Sequence, residues 1–418
     1  MTVGAGPRIV ISGLGLVTPL GVEKNVFFQR LLAGETGIAG IVSFDTGHLP
    51  CHLGAEIKEF NPRDFISLAN LRKMDRLSTL AAAAARTSLE DAGLKVEEKN
   101  RDRIGLILGV AYGGTDISVR LAATIFTEGP QRANPIIVPN VVMNAPAGHT
   151  SIELGIRGVN STVNHHGVSA ETALAYAVSE LKRGAADAVL AGGADIISPF
   201  FYETMVGFKA LSGSRGGFEA ARPFDLERNG WVAGEGAGVI CLEALERALD
   251  RGREPYAEIL GWGLAGSPAP LTDWPADPQG AVLAIRRALG SAGLKPEDID
   301  FICASANGGV KLDRLEAAAL AEVFGLKRTK PLISSLKGAL GESFSSGGLR
   351  TAVTAWSLRT GWTPATLGLT RPLAELDFIL NHSLEAKPRR ALVTALSPGG
   401  ACAALILGCP ESWEEETS

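Results

Sequence analysis

The apolar positions along the chain follow two alternating periods. Arg8–Gly15 (RIVISGLG) is a continuous apolar run closing on a glycine turn, which reads as a buried strand. Lys24–Gly34 then follows helical spacing, with Val26, Phe27, Leu31 and Leu32 on the inner face. Arg72–Arg76 opens a long helix through Ala92, rich enough in alanine to pack closely against a neighbour. Arg103–Val110 is another buried strand. Val159–Asn164 alternates and is rich in β-branched residues, the pattern of a strand. Ala170, Ala173, Leu174, Ala177, Val178 and Leu181 recur at helical spacing, and Lys182, Arg183 and Gly184 supply a helix stop. Ala188–Leu190 leads into Gly192-Gly193. Ala257–Gly263 begins a second series on the same plan, which ends at Gly399-Gly400. The pattern predicts an α/β protein of two similar halves, 1–255 and 256–410, with an acidic tail at 411–418.

Composition narrows the class. At 418 residues, 46% hydrophobic and 20% charged, with 50 glycines, the chain reads as a well-packed α/β protein. A net charge of −5 gives no electrostatic footprint for nucleic acid. No apolar run approaches the roughly 20 residues of a membrane helix, and the opening residues lack a signal-peptide layout. The five cysteines, at 51, 241, 303, 402 and 409, form no C-x-x-C pair and read as reduced thiols in a cytoplasm. No metal or cofactor pattern is found.

Candidate chemistry centres on His165–Ser169, a turn between strand and helix with Ser169 expected as the cap. Free N–H groups and the helix dipole favour an anion there and would activate a cysteine thiol, but the turn has no cysteine. Gly158–Ser169 (GVNSTVNHHGVS) resembles the nucleophile elbow of β-ketoacyl-acyl-carrier-protein synthases, G-P-x-x-x-x-x-T-A-C-x-S/T-G, with Gly167 at the nucleophile. VISGLGLVTPLG resembles the family's opening, and Phe218–Glu243 closely resembles its R-P-F/W-D-x-x-R-D-G-F-V-x-G-E-G-A-G segment. In that segment Arg222, Asp225 and Arg228 read as structural ion pairs. The resemblance spans about residues 8–409 and implies a thiolase fold, five layers α-β-α-β-α.

The remaining motifs are altered in the same sense. In residues 304–316 (ASANGGVKLDRLE), Asp313 and Glu316 are retained, while Ser305 stands at the first histidine. In Lys337–Gly348 (KGALGESFSSGG), Lys337 is retained and Glu342 stands at the second histidine. Ser397–Cys402 (SPGGAC) puts Pro398 at a gating phenylalanine and Cys402 at an asparagine. Claisen condensation needs a thiolate, two imidazoles for the enolate and an oxyanion hole. Gly167, Ser305 and Glu342 supply none of the side chains.

The resemblance therefore implies a non-catalytic subunit of the chain-length-factor type. Such a subunit pairs with an active ketosynthase, meets an acyl carrier protein and shapes the acyl tunnel in fatty acid or polyketide synthesis. Val141, Val142, Met143 and Asn144 would line tunnel and interface, with Asn144, Ala145 and Ala147 permitting close approach. Arg72–Arg76 (RKMDR) is either a solvated helix start or a carrier-protein contact. His149 reads as a satisfied histidine, and Cys303 as a small core residue. Two alternatives stay open. One is a divergent acyltransferase with a relocated nucleophile, Cys402 or one of His165 and His166, of which only one faces the pocket. The other is a homodimeric acyl-chain binding protein.

Overall fold

The structure is a computed structural model, and it describes residues 6–326 and 331–410. The predicted acidic tail lies outside the described residues. Ten strands form one hydrogen-bonded order. From one edge it runs Leu332–Ser334, Phe301–Cys303, Arg390–Leu396, Ala401–Gly408 and Ala257–Gly266. It continues through Ile9–Val17, Gly236–Ala244, Ala188–Asp195, Ile104–Gly109 and Asn160–Val163. Outward from the centre, each half places its own first, fifth, fourth, second and third strands. The two outer pairings are parallel and the inner ones antiparallel in both halves. The duplication read from the sequence is thus a duplication of topology.

Helices complete the expected five layers. Ser169–Lys182 is rich in alanine and leucine and buried along most of its length, as a central helix must be. It packs with Gly347–Thr360, and both touch strands of both halves. Arg76–Asp91 and Ala145–Leu154 cover one outer face; Gln279–Ala292 and Val310–Phe324 cover the other. Glycine sets the approach of each outer helix. A Cβ at Gly15 would lie 1.8 Å from the Ala84 carbonyl oxygen, and one at Gly263 would lie 2.1 Å from that of Ala284. These spacings explain the alanine-rich faces: larger side chains would push the helix off its strand. Cys303 lies buried in its strand, as expected.

Two local expectations are corrected. The long helix begins at Arg76, not Arg72, because Asp75 caps it by accepting the Ser78 N–H at 2.9 Å. In Lys24–Leu32 the buried face carries Phe27, Phe28 and Leu31, while Val26 is exposed and Leu32 half-buried. Phe28 stacks on Trp356, with ring centroids 4.2 Å apart, and that contact rotates the face. Among the described residues no helix is long and apolar enough to cross a membrane.

Candidate functional site

The strand Asn160–Val163 ends in a single helical turn, His166–Val168, that feeds Ser169–Lys182. His166 sits in the left-handed region at φ 52°, a conformation costing about 1–2 kcal/mol for a residue with a Cβ. Ser169 is the first helical residue rather than the cap. Its hydroxyl accepts the His165 N–H at 2.9 Å and donates to the His166 carbonyl at 2.7 Å, knitting the turn together. His165 is exposed, whereas His166 turns inward. His166 Nε2 lies 2.7 Å from the Tyr112 hydroxyl, and Nδ1 lies 3.3 Å from Ser397 Oγ. Burial holds the imidazole below the ordinary histidine value, opposed by the Glu342 charge. The Gly167 N–H donates to Ser397 Oγ at 3.1 Å.

This turn forms one wall of a cavity of about 540 Å³. Its apolar lining includes Phe208, Trp231, Trp274, Phe344 and Leu396. Its polar lining includes His166, Asn307, Lys337 and Glu342. Lys337 Nζ and Glu342 Oε2 are 2.6 Å apart, with side chains 6% and 2% exposed. Asn307 Nδ2 donates to the same carboxylate oxygen at 2.5 Å. Glu342 is therefore held by a cation and an amide. Such a buried pair is costly to break from one side, because the remaining charge is stranded.

A second set of acids braces the surrounding loops. Asp195 accepts the N–H groups of Ala111 and Ser345, joining the Tyr112 loop to the Phe344 loop. Burial pushes its carboxyl up to about 6, against the pull of these backbone donors. Asp313 accepts the N–H groups of Phe224, Asn307 and Gly308, and burial pushes it up to about 7. Glu316 accepts from Ser305 N and Thr394 Oγ1. Arg350, 1% exposed, donates to Glu171 and to the Thr394 carbonyl.

The cavity brings together Gly167, Lys337, Glu342, Asn307 and Pro398 from four separate motifs. It does not include Ser305, which is 1% exposed and tied through its N–H to Glu316. Cys402 also lies outside it: its Sγ faces the Gly400 carbonyl at 3.6 Å, and burial pushes the thiol up to about 12. A thiol so held makes a poor nucleophile. Of the two histidines only His166 reaches the cavity.

Val142, Met143 and Asn144 are exposed and Val141 half-buried, and none lines the cavity of its own chain. Ala145 and Ala147 are buried within the chain, so they do not offer the expected close-approach surface. His149 is satisfied by Asn140 at 2.8 Å. In the basic segment Arg76 pairs with Glu235 at 2.5 Å, while Arg72 and Lys73 remain exposed. The expected ion pairing at 222–228 is partial. Arg222 pairs with Glu227 at 3.1 Å and Arg228 lies 3.9 Å from Asp313, but Asp225 instead accepts the N–H groups of Thr370 and Arg371. Tyr112, Ser397 and Arg350 escaped the sequence reading, since only the fold brings them to the elbow and its helix.

Comparison with known proteins gives a consistent relationship. Residues 7–248 match the family model "Beta-ketoacyl synthase, N-terminal domain", and residues 256–370 match "Beta-ketoacyl synthase, C-terminal domain". The 3-oxoacyl-(acyl-carrier-protein) synthase 2 of Coxiella burnetii is 32% identical over 96% of this chain and 98% of its own. The synthase of the same name from Synechocystis is 32% identical over 94% of this chain and 96% of its own. Among solved structures, a chain of the ishigamide ketosynthase/chain length factor superposes with a TM-score of 0.90 at 31% identity. That match covers 97% of this chain and 100% of the other.

Proposed function

The chain belongs to the beta-ketoacyl synthase family, and we propose that within it the protein is a non-condensing subunit of the chain-length-factor type. It pairs with an active ketosynthase, receives no acyl group at position 167, and shapes the tunnel into which the partner's chain grows. The observation that carries this reading is Glu342. Where the family resemblance expects an imidazole to stabilise an enolate, a carboxylate stands in a buried ion pair with Lys337. A negative group there opposes enolate formation. Gly167 and Ser305 add the loss of nucleophile and of the other imidazole. Relatives named as synthases and a neighbour named as a ketosynthase/chain length factor share similar identity with this chain, so the cavity residues carry the choice.

The exposed apolar segment Val142–Met143, with Ile136 and Val138 nearby, is the surface we assign to the partner. Arg72 and Lys73 are the free cations of the basic segment and the candidates for an acidic carrier protein. Co-expression with an active ketosynthase from the same source is the test. A one-to-one complex that forms product only when both chains are present is expected. A ketosynthase that forms the same products alone, with no complex recovered, contradicts the reading.

A further inference from the structure

The elbow has lost its own nucleophile, yet it holds a hydroxyl and a base. Ser397 follows the strand Arg390–Leu396, and its Oγ lies 3.3 Å from His166 Nδ1. The other ring nitrogen is 2.7 Å from the Tyr112 hydroxyl. With Nε2–H donating to the phenol oxygen, Nδ1 is left as an acceptor facing the serine. This is a nucleophile within reach of a base that a third group orients. The strained backbone of His166 is what aims the imidazole between the two hydroxyls. Burial keeps that imidazole neutral, and it keeps the Tyr112 phenol protonated.

We propose that Ser397, with His166 as its base and Tyr112 orienting that base, accepts acyl groups from thioesters entering the cavity and releases them to water. Ser397 is 1% exposed, one layer behind a wall in which His166, Gly167 and Pro398 line the cavity. A Cβ at Gly167 would touch Ser397 Oγ at 3.5 Å and crowd the Leu396 carbonyl at 3.1 Å. The same substitution that removes a condensing nucleophile thus leaves no side chain at 167 beside the buried serine.

The steps balance without any further reagent than water. Ser397 Oγ attacks the thioester carbonyl as its proton passes to His166 Nδ1. The C–S bond breaks and the departing thiolate takes that proton, leaving an acyl-serine ester. His166 then removes a proton from water as it attacks the ester, and returns it to Oγ as the carboxylic acid leaves. The Gly167 N–H, which donates to Ser397 Oγ at 3.1 Å, is the donor that would turn to the developing oxyanion. With one such donor the reaction is slow, since each oxyanion donor contributes about 10²–10³ in rate.

The test uses the purified chain alone with the octanoyl thioester of N-acetylcysteamine. Thiol release is followed by absorbance, and the peptide bearing Ser397 by mass spectrometry after acid quench. Octanoyl ester on Ser397 is expected, with release lost in Ser397→Ala and acylation kept in Ser397→Cys. His166→Asn should slow release by about 10²-fold or more, the usual range for a general base. The wild-type rate should fall in acid with a midpoint below 6.5, the ordinary histidine value. Release unchanged in a folded Ser397→Ala variant overturns the proposal. Should that variant not fold, an octanoyl-free Ser397 peptide from the wild type overturns it equally. No partner enters this assay, so its failure leaves the pairing proposal standing, and a failed co-purification leaves the acyl-serine standing.

Discussion

Asp195, Asp313, Glu316 and the Glu171–Arg350 pair brace the loops around the cavity, while Gly167, Ser305 and Glu342 stand where the family resemblance expects the reacting groups of a condensing enzyme. The first set is buried and accepts from backbone donors or pairs with an opposite charge. The second set has become a bare backbone, a serine turned into the core, and a carboxylate paired with Lys337. The difference teaches that shape and chemistry are held by separable residues. The braces fix where the loops go, and a cavity that still admits an acyl chain needs them whether or not a bond is made inside it. The reacting positions are not among these braces.

The sharpest way to break this division is to attack a brace. Arg350→Ala strands the Glu171 carboxylate in the core and should cost about 3–5 kcal/mol, read as a loss in urea unfolding. A variant as stable as the wild type would show that Arg350 braces nothing. Next in size is Gly167→Cys. The new Cβ meets the Leu396 carbonyl at 3.1 Å, and such overpacking costs about 1–3 kcal/mol. The thiol should react with iodoacetamide, yet give no condensation without histidines at 305 and 342. Robust β-ketoacyl formation by the single variant would place the enolate-stabilising groups elsewhere in the chain.

Acid titration sharpens the same contrast. The unfolded value of an aspartate is 3.8, whereas Asp195 and Asp313 titrate in the fold at about 6 and about 7. Between these values the folded state binds more protons than the unfolded chain. Their contribution to stability is therefore present below pH ~4 and is lost as pH rises towards 7. Asp313→Asn should flatten that slope in denaturation midpoints measured across the window; an unchanged slope would assign it to other groups. The smallest effect is expected at the surface. Met143→Trp should shorten the products of the complex while its assembly stays intact, and constant product lengths with an intact dimer count against a tunnel role.

What the sequence carried and what it hid follow from locality. The repeat of two similar halves, the buried helix after the elbow and the meeting of Gly167 with Lys337 and Glu342 are legible in periodicity and motif register. The start of the long helix was misplaced because a charged run resembles a first turn until a cap is identified, and Asp75 is that cap. Phe28 took the buried face from Val26 because Trp356, far along the chain, offers it a stacking surface. Ser305 was expected in the cavity, but the buried carboxylate of Glu316 fixes its backbone and leaves Asn307 at the wall. The Ser397–His166–Tyr112 constellation joins three distant segments, and only a left-handed His166 brings them into reach.

The most direct measurement of the central claim is carbon dioxide release from malonyl-carrier protein. The purified chain alone, with acyl-carrier protein supplied, should release none above the protein-free rate and form no β-ketoacyl product. Added to its ketosynthase, the same preparation should change the length of what is made. Carbon dioxide release by the chain alone, diminished by replacing His166 or Glu342, would contradict the account.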